Sequence, residues 1–320
     1  MEKTKLIIII ALVAIIALSA VFVVYSARNS NQSGDGIAIT DSQGYTTTLK
    51  AVPERIVVIA PSVTPILFDI GVGDRVVGLT EYDTAPYDFS AWFAEGNMTC
   101  VGGFSSPNLE TIISLQPDVI FTTDINTVML PNMRDLGLNV IVVGPQSIDE
   151  IYQTIRLLGK ATGAENNADA LVNRLNSQIN NVIATINTAN IAQKPVVYCE
   201  IWSSTAGFMT VGSNSWLNDV IGKAGGINLF ANTAEEYPTT SLEVLITNNP
   251  DVILLPTDMG GEASYGSVTA VKNRPGWNTI TAVKDNRIYV IDADLFNQPG
   301  IRVADQVQTI AACLYPQLFP

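Results

Sequence analysis

Two stretches of this chain, Leu109-Glu110-Thr111-Ile112-Ile113-Ser114-Leu115-Gln116-Pro117-Asp118-Val119-Ile120 and Leu242-Glu243-Val244-Leu245-Ile246-Thr247-Asn248-Asn249-Pro250-Asp251-Val252-Ile253, are one segment written twice at an offset of 133 residues. Seven of the twelve positions are identical. Each copy follows a residue suited to capping a helix, Asn108 or Ser241, whose side-chain oxygen can take an orphan amide of the first turn. It then reads as a short helix, a Pro-Asp turn and an apolar run of strand length. A helix–turn–strand unit that recurs in both halves predicts two lobes built alike.

Glu110 and Glu243 occupy the first turns of the two predicted helices. A carboxylate there is stabilised by the helix dipole, by about 0.3–1 kcal/mol, which is reason enough for one glutamate. Two of them on related lobes also suit engagement of a basic partner with two-fold symmetry.

Outward from the repeat, the N-terminal half alternates strand and helix signals. Ile37–Thr40 and Tyr45–Leu49 flank Asp41-Ser42-Gln43-Gly44, an opening hairpin. The continuous apolar run Arg55–Ala60, ending in Pro61-Ser62, reads as a doubly buried parallel strand followed by a helix over Thr64–Ile70. Strands at Val76–Leu79, Val119–Thr122 and Asn139–Val143, with helices at Leu109–Leu115 and Val128–Leu136, complete an α/β lobe over 37–147. From 148 to 193 apolar residues recur every three or four positions, predicting helices interrupted near Gly163. Strand-like runs return at Val196–Glu200, Phe208–Val211, Val252–Leu255 and Ile288–Ile291, a second α/β lobe over 194–320. A helical spacer between two such lobes implies a fixed separation with a cleft between them.

Composition narrows the chemistry. With 47% hydrophobic and 15% charged residues in a chain of 320, most of it must pack. The net charge of −13 is the wrong sign for a phosphate backbone, so nucleic acid is not an expected partner. The absence of histidine removes Ser-His-Asp and Cys-His catalysis and imidazole-ligated metals. Cys100, Cys199 and Cys313 are too few and too scattered for a zinc knuckle or a disulfide framework, leaving at most one bridge.

At the N-terminus, Leu6 to Tyr25 is uninterrupted and apolar, twenty residues that as a helix would span about 30 Å. It is expected to be a transmembrane anchor over 1–25, although Leu18-Ser19-Ala20 or Tyr25-Ser26-Ala27 could be cleaved. Lys3 and Lys5 on the short side place the rest outside the cytoplasm. No cysteine follows the stretch to carry a lipid, and 26–36 reads as a flexible tether. Asn31 and Asn97 open glycosylation sequons.

The hairpin into Pro53-Glu54-Arg55-Ile56-Val57, the Gly71–Gly78 turn, Val101-Gly102-Gly103-Phe104 through Glu110, and Ser241-Leu242-Glu243 through Asp251 together resemble the substrate-binding proteins of ABC importers for ferric siderophores, cobalamin and haem. The resemblance runs from about Ile37 to the C-terminus. It implies two Rossmann-like lobes joined by one long backbone helix, a ligand in the cleft, little closure on binding, and no cofactor of the protein's own. It also implies that Glu110 and Glu243 match the family's docking glutamates and pair with arginines of a permease dimer. The missing histidine excludes the related zinc and manganese binders and weakens haem.

In such a family, and by the general rule for open α/β sheets, the ligand lies where loops leave the strands. The aromatic candidates there are Tyr82, Phe104, Trp202, Phe208, Tyr237 and Phe296, and the polar ones Asp294, Arg274 and Arg302. Aromatic faces suit a corrin, haem or catecholate plane, and the arginines could clamp an anionic chelate. Trp277 could line the site or pack against the lobe. The expected protein performs no chemistry: it captures a metal chelate, a ferric siderophore or cobalamin, and hands it to a permease. The competing readings are a membrane-anchored surface enzyme, for which Asp292-Ala293-Asp294 is the one acidic motif, and a ligand-sensing ectodomain.

Overall fold

The computed structural model describes residues 36–83, 86–204, 207–257 and 267–319. The expected anchor at 1–25, most of the tether and the Asn31 sequon lie outside them. No helix among the described residues is long and apolar enough to cross a membrane.

The hairpin forms as the sequence predicts, from β1 (Ile37–Thr40) and β2 (Thr46–Leu49). The buried Asp41 carboxylate organises its turn by accepting the Gln43 and Tyr45 amides, 3.0 and 2.9 Å away. Its other oxygen takes Arg134 at 3.1 Å and the Val142 amide at 3.3 Å, which ties the hairpin to the lobe behind it.

That lobe contains β3 (Ile56–Val58), α1 (Thr64–Asp69), β4 (Val76–Leu79), α2 (Ser90–Ala94), β5 (Thr99–Cys100), α3 (Leu109–Ser114), β6 (Val119–Thr123), α4 (Leu130–Asp135) and β7 (Val140–Val143). Its five strands are all parallel, in the order β5-β4-β3-β6-β7. The central strands are buried on both faces, so they read as unbroken apolar runs. The chain starts at β3, builds outward through β4 and β5, then returns to lay β6 on the other flank. That reversal opens a crevice beyond the C-terminal ends of β3 and β6.

Two helices follow, α5 (Ile148–Thr162) and α6 (Glu165–Thr188). The resemblance implied one long helix; the structure has a helical pair, because Gly163 adopts φ +70° and ends α5. The pair is close-packed: a Cβ added to Gly159 would lie 2.5 Å from that of Ala168, and Arg156 bonds Asp169 at 2.8 Å. Both helices touch both lobes. The Ile148 amide at the start of α5 donates to Asp219 of the second lobe (3.1 Å), while Arg75 of the first caps the Thr162 carbonyl at its end (2.9 Å). Along α6, Asn167 bonds the Ile70 carbonyl (2.8 Å), and Ile186 packs near Gly225 of the second lobe.

The second lobe contains β8 (Val196–Ser204), β9 (Gly207–Thr210), α7 (Trp216–Lys223), β10 (Ile227–Asn228), β11 (Thr239–Thr240), α8 (Leu242–Asn248), β12 (Val252–Pro256), α9 (Val268–Asn273), α10 (Thr281–Lys284), β13 (Ile288–Ile291), α11 (Ala293–Phe296) and α12 (Val303–Leu314). Strand order is β11-β9-β8-β12-β13, with β10 also on β8. The first part of β8 pairs in parallel with β10 and β12; beyond a register shift between Glu200 and Trp202 it continues as one arm of an antiparallel hairpin with β9.

The repeated segment folds twice in the same way. Asn108 and Ser241 accept the Thr111 and Val244 amides at 3.0 and 3.5 Å, the caps the sequence predicts. Gln116 and Asn249, at matched positions, both take positive φ, +47° and +45°. Asp118 then accepts the Glu54 and Arg55 amides (2.8 and 2.9 Å), and Asp251 accepts the Val196 amide (2.8 Å). The Pro-Asp turn therefore anchors the start of the central strand, β3 or β8, in each lobe.

Candidate functional site

Segments that leave the C-terminal ends of strands in the two lobes approach one another, where the topology of open α/β sheets puts a cleft. A Cβ added to Gly300 of the second lobe would come within 3.0 Å of the Ser62 carbonyl beyond β3. Burial raises the Glu236 carboxyl and the Tyr237 hydroxyl of the second lobe, and the charge of Asp124, leaving β6, adds to both.

On the first wall, Thr80 donates its amide and hydroxyl to Asp83 (2.9 and 2.6 Å) and accepts the Tyr82 amide (3.2 Å). Asp83 is 5% exposed, and burial raises its carboxyl above the usual range. This turn holds Tyr82 outward, 51% exposed, with its ring edge-on to Phe104 at 5.2 Å. Phe104 reaches that position because the preceding glycines let the loop fold over: Gly102 has φ +92°, and a side chain on Gly103 would meet Ser106, Glu81 and Tyr82. The buried Asn126 fixes the loop from below, donating to the Phe104 carbonyl at 2.7 Å and to Thr122 at 3.0 Å. Beside it, Ile125 and Val128 are 58% and 92% exposed, an apolar rim that the sequence reading missed. Alternation alone does not reveal which apolar residues of a short post-strand loop face outward.

On the second wall, Trp202 stands on β8 and is 43% exposed. Tyr237 packs against Trp216 (6.4 Å) and bonds Ser215 and Glu236; burial, then the Glu236 charge, pushes its hydroxyl well above the ordinary value. Asp294 is exposed in the first turn of α11. Arg302 precedes α12, 3.9 Å from Asp305.

Two expected site residues, Phe296 and Arg274, are turned into the lobe, and a third, Phe208, is partly buried against its core. Phe296 is 1% exposed, so its ring offers no face to a ligand. Arg274 makes a bidentate pair with Glu200 (2.6 and 2.7 Å), reaches Ser203, and stacks over Phe208 and Trp277 at 4.8 and 4.5 Å. Its guanidinium is spent on the fold rather than held out as an anion clamp. Phe208 packs on the fully buried Trp277, which decides the latter's role as packing. A strand-end position predicts proximity to the cleft but not the side to which a ring turns.

Glu110 and Glu243 are both exposed, each in the first turn of its helix, two residues after the capping residue. Bonds from its own backbone and from Ser241 lower the Glu243 carboxyl below the usual range. A concavity of about 540 Å³ lies between the hairpin turn at Asp41–Gln43, the ends of β6 and β7, and the Glu150–Leu157 stretch of α5. Cys100, Cys199 and Cys313 are free thiols, and Asn97 is exposed. Among the described residues no group of three or more carboxylates and thiols is arranged to hold a metal ion.

A model of the periplasmic binding protein family matches residues 56–295. The chain is 31% identical to the uncharacterized ABC transporter substrate-binding lipoprotein YvrC of Bacillus subtilis, over 88% of this chain and 87% of that protein. It is 25% identical to the vitamin B12-binding protein of Vibrio cholerae, over 82% and 88% of the two chains. Among solved structures it resembles the periplasmic heme-binding protein RhuT of Roseiflexus, with a TM-score of 0.71 and 26% identity, covering 83% of this chain and 99% of that one.

Proposed function

The chain belongs to the family of periplasmic binding proteins, and from that premise we propose that it captures a metal chelate, a ferric siderophore or cobalamin, outside the cytoplasm and delivers it to an ABC permease. Relatives that bind vitamin B12 and haem support a planar, aromatic-seeking cargo. The observation that carries the reading is the exposed Tyr82, backed edge-on by the half-buried Phe104, on one wall of the cleft with the exposed Trp202 on the other. Buried aromatics build a core, whereas aromatics held out into a crevice by satisfied turns are placed to stack on a ligand. Tyr237 supplies a hydroxyl near the same cleft.

In this reading Glu110 and Glu243 dock the permease through their paired helices, and residues 6–25 hold the protein at the membrane. The protein binds and hands over; it makes and breaks no covalent bond.

Titration of the full-length protein with cobalamin and with ferric siderophores, followed by tryptophan fluorescence, tests it. Saturable quenching at sub-micromolar concentration by one of them is the expected result. Tyr82→Ala and Trp202→Ala should each weaken that binding by about tenfold or more. Absence of saturable quenching across the whole panel would discard the chelate-binding reading.

A further inference from the structure

The charged groups around the cleft narrow the cargo further. In both lobes the helices return the chain to the strand-start end of the sheet, so segments that follow the parallel strands form the cleft side. In the described residues those that follow β4, β6 and β13 carry Glu81, Asp83, Asp124, Asp292 and Asp294, and the one after β10 carries Glu235 and Glu236. Arg302 is the one Lys or Arg in all these segments.

The remaining cations among the described residues are placed or committed elsewhere. Arg55, Arg75, Lys194 and Arg287 stand at the starts of strands, and Lys50 lies on the hairpin. Lys160, Lys223, Lys272 and Lys284 occupy the last turns of their helices. Arg134, Arg156 and Arg174 pair with Asp41, Asp169 and Asp69. Arg274, nearest to the cleft aromatics, has its fork taken by Glu200 at 2.6 and 2.7 Å with a side chain only 9% exposed.

We infer that the cleft selects neutral or cationic metal chelates and discriminates against anionic ones. The inference rests on the chelate-binding reading above and adds the charge class of the cargo. A trisubstituted catecholate complex or a haem with two ionised propionates would bring negative charge between Asp124 and Glu236 and find Arg302 alone to meet it. An electrically neutral corrinoid meets no such cost, and a cationic ferric hydroxamate gains from the same field.

The test titrates the full-length protein with four probes: cyanocobalamin, a cationic ferric trihydroxamate, a ferric tris-catecholate and haemin. The neutral or cationic probe should bind about tenfold or more tightly than either anion, and the affinity of a cationic probe should fall as salt rises. The double substitution Asp124→Asn with Glu236→Gln should tighten anion binding and weaken cation binding, opposite signs that a general loss of structure would not give. An anionic probe that binds most tightly, or a double variant that leaves the ratio unchanged, overturns the charge selection while chelate binding stands. Failure of all four probes to bind removes both readings together.

Discussion

In the N-terminal lobe the repeated segment closes a sheet of five parallel strands; in the C-terminal lobe the same segment closes a mixed sheet whose central strand leaves its neighbours to form a hairpin. The shared part is identical in detail, down to the cap, the left-handed residue and the aspartate at the strand start. The difference lies above it. The first lobe holds Tyr82 out from a turn built on Thr80 and Asp83, whereas the second fixes its hairpin with a buried ion pair whose Arg274 stacks on Phe208 and Trp277. A duplicated frame thus carries one wall that presents aromatics and another that mostly hides them.

The largest asymmetry should appear in the ion pairs. Arg274→Ala strands Glu200, which is 3% exposed at its side chain, and should cost about 3–5 kcal/mol in urea denaturation. Arg134→Ala leaves Asp41 buried but still accepting the Gln43, Tyr45 and Val142 amides, and should cost about 1–2 kcal/mol. Equal losses would break the contrast.

A smaller effect should separate the two strand anchors. Asp118→Ala releases two backbone amides and should destabilise by about 2–3 kcal/mol, against about 1–2 kcal/mol for Asp251→Ala, which releases one. The same denaturation curves read both.

The left-handed positions should differ in sign. Gln116 is exposed and its side chain has no bond to lose, so Gln116→Gly should relieve backbone strain and stabilise by about 0.5–1 kcal/mol. Asn249 exchanges bonds with the Thr281 hydroxyl and amide at 2.9 and 2.8 Å, so Asn249→Gly should destabilise by about 1 kcal/mol.

The smallest effect is a pH slope. Burial, then the Asp124 charge, holds Glu236 above its ordinary value of 4.5, so the native state keeps its proton longer than the unfolded chain. Stability therefore falls as pH rises from that ordinary value to the raised one, and Glu236→Gln should flatten the fall in melting temperature. The slope that persists belongs to Asp83, raised by burial in the other lobe.

Much of this frame is legible in the sequence because its causes are local. The apolar runs at Ile56–Val58 and Val252–Pro256 are doubly buried, and Gly163 marks the break between α5 and α6. The two-residue strands β5, β10 and β11 leave no periodicity to read. At the site, the exposure of Tyr82 and Trp202 is legible because polar turns or a strand end surround them. The pairing of Arg274 with Glu200 is not, because the two lie 74 positions apart and only the folded sheet brings them together. The burial of Phe296 is not either, because it depends on the rest of the lobe, here including the Gln306 side chain that tethers neighbouring Leu295.

The close crossing of α5 and α6 at Gly159 and Ala168 has a mechanical meaning. Two rods joined along their sides resist bending far more than the same rods apart, since one must stretch while the other is compressed. Each of these helices is pinned to both lobes, so a torque that would fold one lobe toward the other loads a braced beam. In the proposed reading, a cargo would then be gripped by adjusting fingers rather than by closing the hand.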